Sequence, residues 1–163
     1  MEISFRKVIA SNDLNRVRQI TLSTGFFRDD EIEVAVELAT EALDKGQEQS
    51  GYFFLFSMMG DHTTGFVCFG PTPCTIGTFD LYWIVVDNNF RGNGTGKALM
   101  QQTERELIAR KARKLYIETS STDKYLPTRK FYENCGYAEE ARLKDFYSNG
   151  DDKVIYSKVL ISQ

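Results

Sequence analysis

The stretch Val85-Val86-Asp87-Asn88-Asn89-Phe90-Arg91-Gly92-Asn93-Gly94-Thr95-Gly96-Lys97-Ala98-Leu99-Met100 joins an apolar strand to a helix through three alternating glycines. At that spacing backbone N–H groups can turn toward one point with no side chains in the way. A helix beginning near Thr95 adds its unpaired N–H groups and positive dipole end, and Arg91 and Lys97 flank the point with charge. The segment reads as a seat for a phosphorylated ligand. Common nucleotide loops fit it poorly. A Walker loop needs glycine and a hydroxyl residue where Arg91 and Ala98 stand, and a dinucleotide fingerprint needs its last glycine at Lys97 or Leu99, although Glu118 lies at a ribose-binding distance.

A chain of 163 residues suits one domain, residues 1–163, with one sizeable core. It is 42% hydrophobic and carries charges of both signs, and its apolar runs are too short for a membrane span. Met1 to Val8 reads as an alternating strand, not a signal peptide, and cysteines that read as small buried hydrophobes lead to the expectation of a cytoplasmic protein. A net charge of −3 argues against nucleic acid as partner. Cys68, Cys74, Cys135 and the single His62 have no metal-ligand spacing, so no metal is expected; Cys68 and Cys135 read as small buried hydrophobes.

Hydrophobic periodicity predicts a strand over 3–8 and a helix over 12–23 with Leu14, Val17 and Thr21 on one face. It predicts a second helix capped by Asp29 or Asp30, striped by Ile32, Val36, Ala39 and Leu43 and ended by Gly46. Strands follow over 52–58, 65–69 and 79–86, then a helix marked by Met100, Thr103 and Leu107, and a strand over 114–119. Pro127 opens a further helix that Gly136 closes, and strands over 137–146 and 153–160 flank Ser148-Asn149-Gly150.

Arg91-Gly92-Asn93-Gly94-Thr95-Gly96 resembles the Arg/Gln-x-x-Gly-x-Gly/Ala signature of the GNAT superfamily, the acyl-CoA-dependent N-acyltransferases. Phe131-Tyr132-Glu133-Asn134-Cys135-Gly136-Tyr137 resembles that family's Phe-Tyr-Glu-x-x-Gly-Phe/Tyr segment, at the usual distance downstream. The resemblance spans essentially the whole chain. It implies an α/β fold with a mixed, mostly antiparallel, centrally splayed sheet and helices on both faces.

The same resemblance implies acetyl-CoA as cofactor, its pyrophosphate held by Arg91, Gly92, Asn93, Gly94, Thr95, Gly96 and Lys97. Its pantetheine arm would pair with the backbone of Ile84, Val85 and Val86, where an N–H would polarise the thioester carbonyl. Thr128 and Phe131 would add cofactor contacts. Tyr132 takes the place of the tyrosine that protonates the departing thiolate, with an aromatic helix face as the alternative. Asp80 stands where some members carry a catalytic acid or histidine, so it is either the base or a strand-edge aspartate bonded to the loop 71–78. Many relatives carry asparagine and alanine where this chain has Tyr125 and Thr128, which turns Tyr125 toward the acceptor side. There Phe26, Phe27, Glu31, Tyr82 and Tyr147 offer aromatic walls and an acid for an ammonium group, or else packing.

The expected activity is acetyl transfer from acetyl-CoA to a primary amine of a small molecule, an amino acid or polyamine, by direct attack in a ternary complex. The alternatives are a protein or peptide acceptor, because the 147–153 turn resembles the tyrosine-bearing loop of protein N-terminal acetyltransferases, and a non-catalytic acyl-CoA sensor. A dinucleotide-binding module ranks behind both. A homodimer is compatible with the family.

Overall fold

The computed structural model describes residues 2–161, so Met1 of the expected opening strand lies outside them. The elements run β1 (Ser4–Arg6), α1 (Ser11–Ser23), α2 (Asp29–Lys45), α3 (Gln47–Ser50), β2 (Phe53–Met59), β3 (His62–Pro71), β4 (Thr78–Val86), α4 (Thr95–Ala109), β5 (Lys114–Ser120), α5 (Leu126–Asn134), β6 (Ala138–Ser148) and β7 (Asp151–Val159). Seven strands hydrogen-bond in the order β1-β2-β3-β4-β5-β7-β6, giving a mixed, mostly antiparallel open sheet. Its parallel pair, β4 with β5, covers Thr78–Leu81 and Lys114–Ile117 and ends there, although both strands run on. Among the described residues no helix is long and apolar enough to cross a membrane.

The chain divides into two compact units, Met1–Gly70 with Tyr82–Arg105, and Pro71–Leu81 with Glu106–Gln163. In the first unit, alternation along β2 and β3 sends Phe54, Phe56, Phe66 and Cys68 to one face, where they pack with Val17 and Ile20 of α1 and Ala35, Ala39 and Ala42 of α2. The other face carries Leu55, Ser57 and Gly65, and Leu99 of α4 reaches it, since a Cβ on Gly65 would stand 3.0 Å from the Leu99 side chain. This part of the sheet is thus covered on both sides.

Several expectations shift in detail. α2 does not begin on an aspartate side chain: Arg28 is its cap residue, and the Glu31 carboxylate accepts the Arg28 N–H at 2.8 Å. Its buried stripe is Ile32, Ala35, Ala39 and Ala42, so the apolar face is rotated toward small residues that let α2 approach the sheet. β1 is shorter than predicted. α3 was not foreseen, because four residues carry no periodicity; Gln47 holds it by accepting the Phe54 N–H and donating to the Lys7 carbonyl. Cys135 caps α5 half-buried and Cys74 is exposed, while Cys68 is buried and its thiol pKa raised by desolvation.

In the second unit β7 lies between β5 and β6, and β6 forms the sheet edge with all 11 of its residues exposed. The β6–β7 register skips between Leu143 and Ser148, which oppose Lys153 and Asp151. The extra residues bulge out, with Asp145 at φ 52° and its amide donating to Asp152.

Gly70 on β3 passes so close to the turn after α3 that a Cβ there would lie 2.0 Å from the Gly51 carbonyl oxygen. Gly70→Ala is therefore expected to cost about 2 kcal/mol or more, read as a fall in Tm of about 5 °C in a thermal melt.

Candidate active site

The glycine segment is rooted by a buried carboxylate. Asp87, directly after β4, accepts from the Arg16 guanidinium of α1 at 2.7 Å and from the Asn89 N–H at 3.0 Å. The Asp87 N–H donates to the Thr64 carbonyl at 2.8 Å, the same Arg16 donates Nε–H to the Thr63 carbonyl at 3.0 Å, and the Asn88 N–H donates to Ser23 Oγ. Strand end, first helix and β3 thus converge on one ion pair, after which the chain makes a single 3-10 turn over Asn88–Phe90.

Beyond that turn Gly92 and Gly94 lie at φ 79° and 77°, in the region L side chains disfavour, and nothing stands within 4 Å of where a Cβ would be. Gly96 has a different role, inside the first turn of α4. The first helical bond is Ala98 N–H to Gly94 C=O, so the N–H groups of Thr95, Gly96 and Lys97 have no intrahelical acceptor. Thr95 is 1% exposed, and its hydroxyl lacks a hydrogen-bond partner among the described residues. Arg91 and Lys97 are exposed, and neither forms an ion pair among the described residues. An orphaned buried hydroxyl, free helix N–H groups and two unspent cations around an open backbone loop fit a phosphate-bearing anion.

On the same unit, Val85 is buried in the core under α1 and α2, with Ile84 and Val86 half-buried beside it. Phe27 meets Trp83 edge-on at 5.1 Å and Phe26 at 5.3 Å, and Tyr82 meets Tyr52 at 5.6 Å while 38% exposed. Glu31 is occupied as the cap of α2.

The second unit carries the other expected residues. Asp80 Oδ2 accepts from Thr72 Oγ1 at 2.7 Å, so the loop after β3 orients this carboxylate. Its Oδ1 has no hydrogen bond among the described residues. Tyr132 is 6% exposed near the end of α5, its ring 6.0 Å from that of Tyr156 and 6.5 Å from that of Tyr137. Burial, with the neighbouring Cys135 and Tyr125, pushes its phenol pKa well above the ordinary value. Phe131 touches the Tyr132 ring, and Thr128 is half-buried on the same helix. Tyr147 sits on the bulge of β6, 47% exposed, its pKa pushed up to about 12 by burial and by Glu118, Asp151 and Tyr125. Among the described residues no group of three metal-ligating side chains comes together.

A family model described as an acetyltransferase (GNAT) domain matches residues 49–139, more than half the chain. The chain belongs to the GNAT acetyltransferases. A GNAT-family protein from Desulfovibrio desulfuricans, put forward as an acetyltransferase, is 42% identical with a TM-score of 0.95, over 98% of this chain and 100% of its own. An aminoglycoside 6'-N-acetyltransferase complexed with coenzyme A is 19% identical with a TM-score of 0.77, over 100% and 99%. The ribosomal-protein-S18-alanine N-acetyltransferase from Escherichia coli is 16% identical with a TM-score of 0.76, over 99% and 96%. These last two likenesses report the fold. No curated protein matches the chain. As a GNAT acetyltransferase it uses acetyl-CoA, and the anion seat at the start of α4 suits that donor's phosphates.

What reasoning from sequence missed is the pair Arg16 and Asp87, which lie 71 positions apart with no local pattern to link them. Asp87 follows the strand directly and precedes the glycines, so its position was the one available signal. Arg16→Met leaves the Asp87 carboxylate buried and unpaired, and about 2 kcal/mol of destabilisation is expected in denaturant unfolding, discounted because Arg16 keeps some solvent contact.

Proposed function

We propose that the protein acetylates a primary amine of a small molecule, of the amino-acid or polyamine kind, by direct attack in a ternary complex with acetyl-CoA. Bound acetyl-CoA supplies an acetyl group already activated as a thioester. The chain's own residues supply the remainder. Arg91, Gly92, Asn93, Gly94, Thr95, Gly96 and Lys97 hold the donor's phosphates, and a backbone N–H of Ile84, Val85 or Val86 polarises the carbonyl. Asp80, steadied by Thr72, takes the proton from the attacking nitrogen through its free Oδ1, directly or by way of a water. As the new C–N bond forms and the C–S bond breaks, Tyr132 gives its proton to the departing sulfur.

The observation that carries this proposal is the state of Tyr132. Its ring is buried beside Tyr137 and Tyr156, and its hydroxyl has no hydrogen bond among the described residues, so its proton is uncommitted. Unlike Thr95 Oγ1, that oxygen is not fully enclosed, so an incoming group can reach it.

A peptide or protein amine is the second acceptor class, favoured by the β6 bulge, which raises Phe146 and Tyr147 to about half exposure. Phe26, Phe27, Tyr82 and Tyr125 are the remaining candidates for the acceptor wall.

The test has two stages. Thermal shift is measured with acetyl-CoA, desulfo-CoA, NAD and ATP; a ligand at ~100 times its Kd adds about 2.7 kcal/mol, and the expected outcome is stabilisation by the two CoA species alone. Thiol release is then followed over amino acids, spermidine, kanamycin and peptides with free N-termini. Turnover with small amines supports the proposal, turnover with peptides only moves it to the second class, and CoA binding without any turnover makes the protein a sensor. Tyr132→Phe should lower kcat about 10²-fold with Tm nearly unchanged, because no hydrogen bond is lost. Asp80→Asn should lower kcat/KM about 10²-fold with the Tm shift on acetyl-CoA binding retained.

A further inference from the structure

An acid that transfers its proton must hold its oxygen in place, because a misplacement of about 1 Å can cost about 10² in rate. The Tyr132 hydroxyl has no hydrogen bond among the described residues, so contacts to its ring alone set where its oxygen stands. Apart from the adjacent Phe131, those contacts are a collar of two buried tyrosines, Tyr137 just after α5 and Tyr156 on β7. Each is tied in turn. The Tyr156 hydroxyl donates to Glu133 Oε1 at 3.0 Å. Lys158 Nζ lies 5.4 Å from the Tyr137 ring centre and donates to the Cys135 carbonyl at 2.9 Å.

Glu133 is the residue directly after Tyr132, so its bond to Tyr156 fastens to β7 the very turn of α5 that bears the acid. An exposed carboxylate on a surface helix has no need of a buried phenol, whereas the Tyr156 hydroxyl on β7 uses Glu133 as its acceptor. We infer that Glu133 and Tyr156 are positioning residues for Tyr132: their hydrogen bond fixes the height of α5 over β7 and thereby aims the Tyr132 hydroxyl. This rests on Tyr132 being the acid, and its structural half is readable without that.

The test places 3-fluorotyrosine at position 132 of the full chain and compares its fluorine resonance in the native background, Tyr156→Phe, Glu133→Ala and Glu133→Gln. Tyr156→Phe keeps the ring and deletes only the bond, while Glu133→Gln retains an oxygen acceptor. The expected result is one narrow resonance in the native and Glu133→Gln proteins, and a shifted, broadened one in the other two. A resonance indifferent to Tyr156→Phe overturns the inference. Kinetics with acetyl-CoA and the fastest amine of the panel add the second readout. Tyr156→Phe should lower kcat about threefold to tenfold with KM for acetyl-CoA within about twofold, and should do nothing further in a Tyr132→Phe background. An equal loss in both backgrounds makes the bond merely structural and overturns the inference. An undiminished kcat in Tyr132→Phe alone defeats the acid role, and the resonance then still decides whether the tie positions the ring.

Discussion

The ion pair between Arg16 and Asp87 is the point on which the first unit's arrangement turns. A carboxylate that is 3% exposed is stable only if charge and hydrogen bonds surround it, and here one guanidinium and one backbone amide do so. The satisfaction of that one group dictates geometry. It sets where β4 stops, which way the chain turns at Asn88–Phe90, and how α1 lies against β3 through the Thr63 carbonyl. Only from a fixed root can two glycines at positive φ and a helix start face one point reproducibly. The loop itself stays unstrained and open because the rigidity is placed one residue before it.

The chemistry follows the same division between anchored supports and unspent groups. Thr95, Arg91 and Lys97 are left without partners in the first unit, and the Tyr132 hydroxyl and Asp80 Oδ1 are left so in the second, all among the described residues. Beside them stand engaged supports: Asp87 is held by Arg16, Asp80 Oδ2 by Thr72 and Tyr156 by Glu133. Each of these groups thus keeps hydrogen-bonding or charge capacity that the fold does not use.

The periodic elements were legible in the sequence because burial writes them there. Met100, Thr103 and Leu107 are buried along α4 as their spacing foretold, and the strand pair around Asn149-Gly150 forms where its turn residues place it. The open turn at Gly92 and Gly94 was legible for the same reason, since glycine spacing is itself the backbone constraint. What stayed hidden was decided across the chain. The register of α2 depended on how closely alanines could approach β2, its cap on a side chain three residues in, and α3 on one glutamine joining β2 to the segment after β1. The hydrogen bond from Thr72 to Asp80 likewise depends on the path of the loop after β3, which no local pattern fixes.

The exposed edge strand β6 has a consequence outside catalysis. An unpaired row of N–H and C=O groups invites a strand from another chain, and Glu139, Glu140, Arg142, Lys144 and Asp145, together with the bulge after Leu143, make such an addition costly. Those charges therefore act as guards of solubility. Trimming them would surface as self-association that grows with concentration.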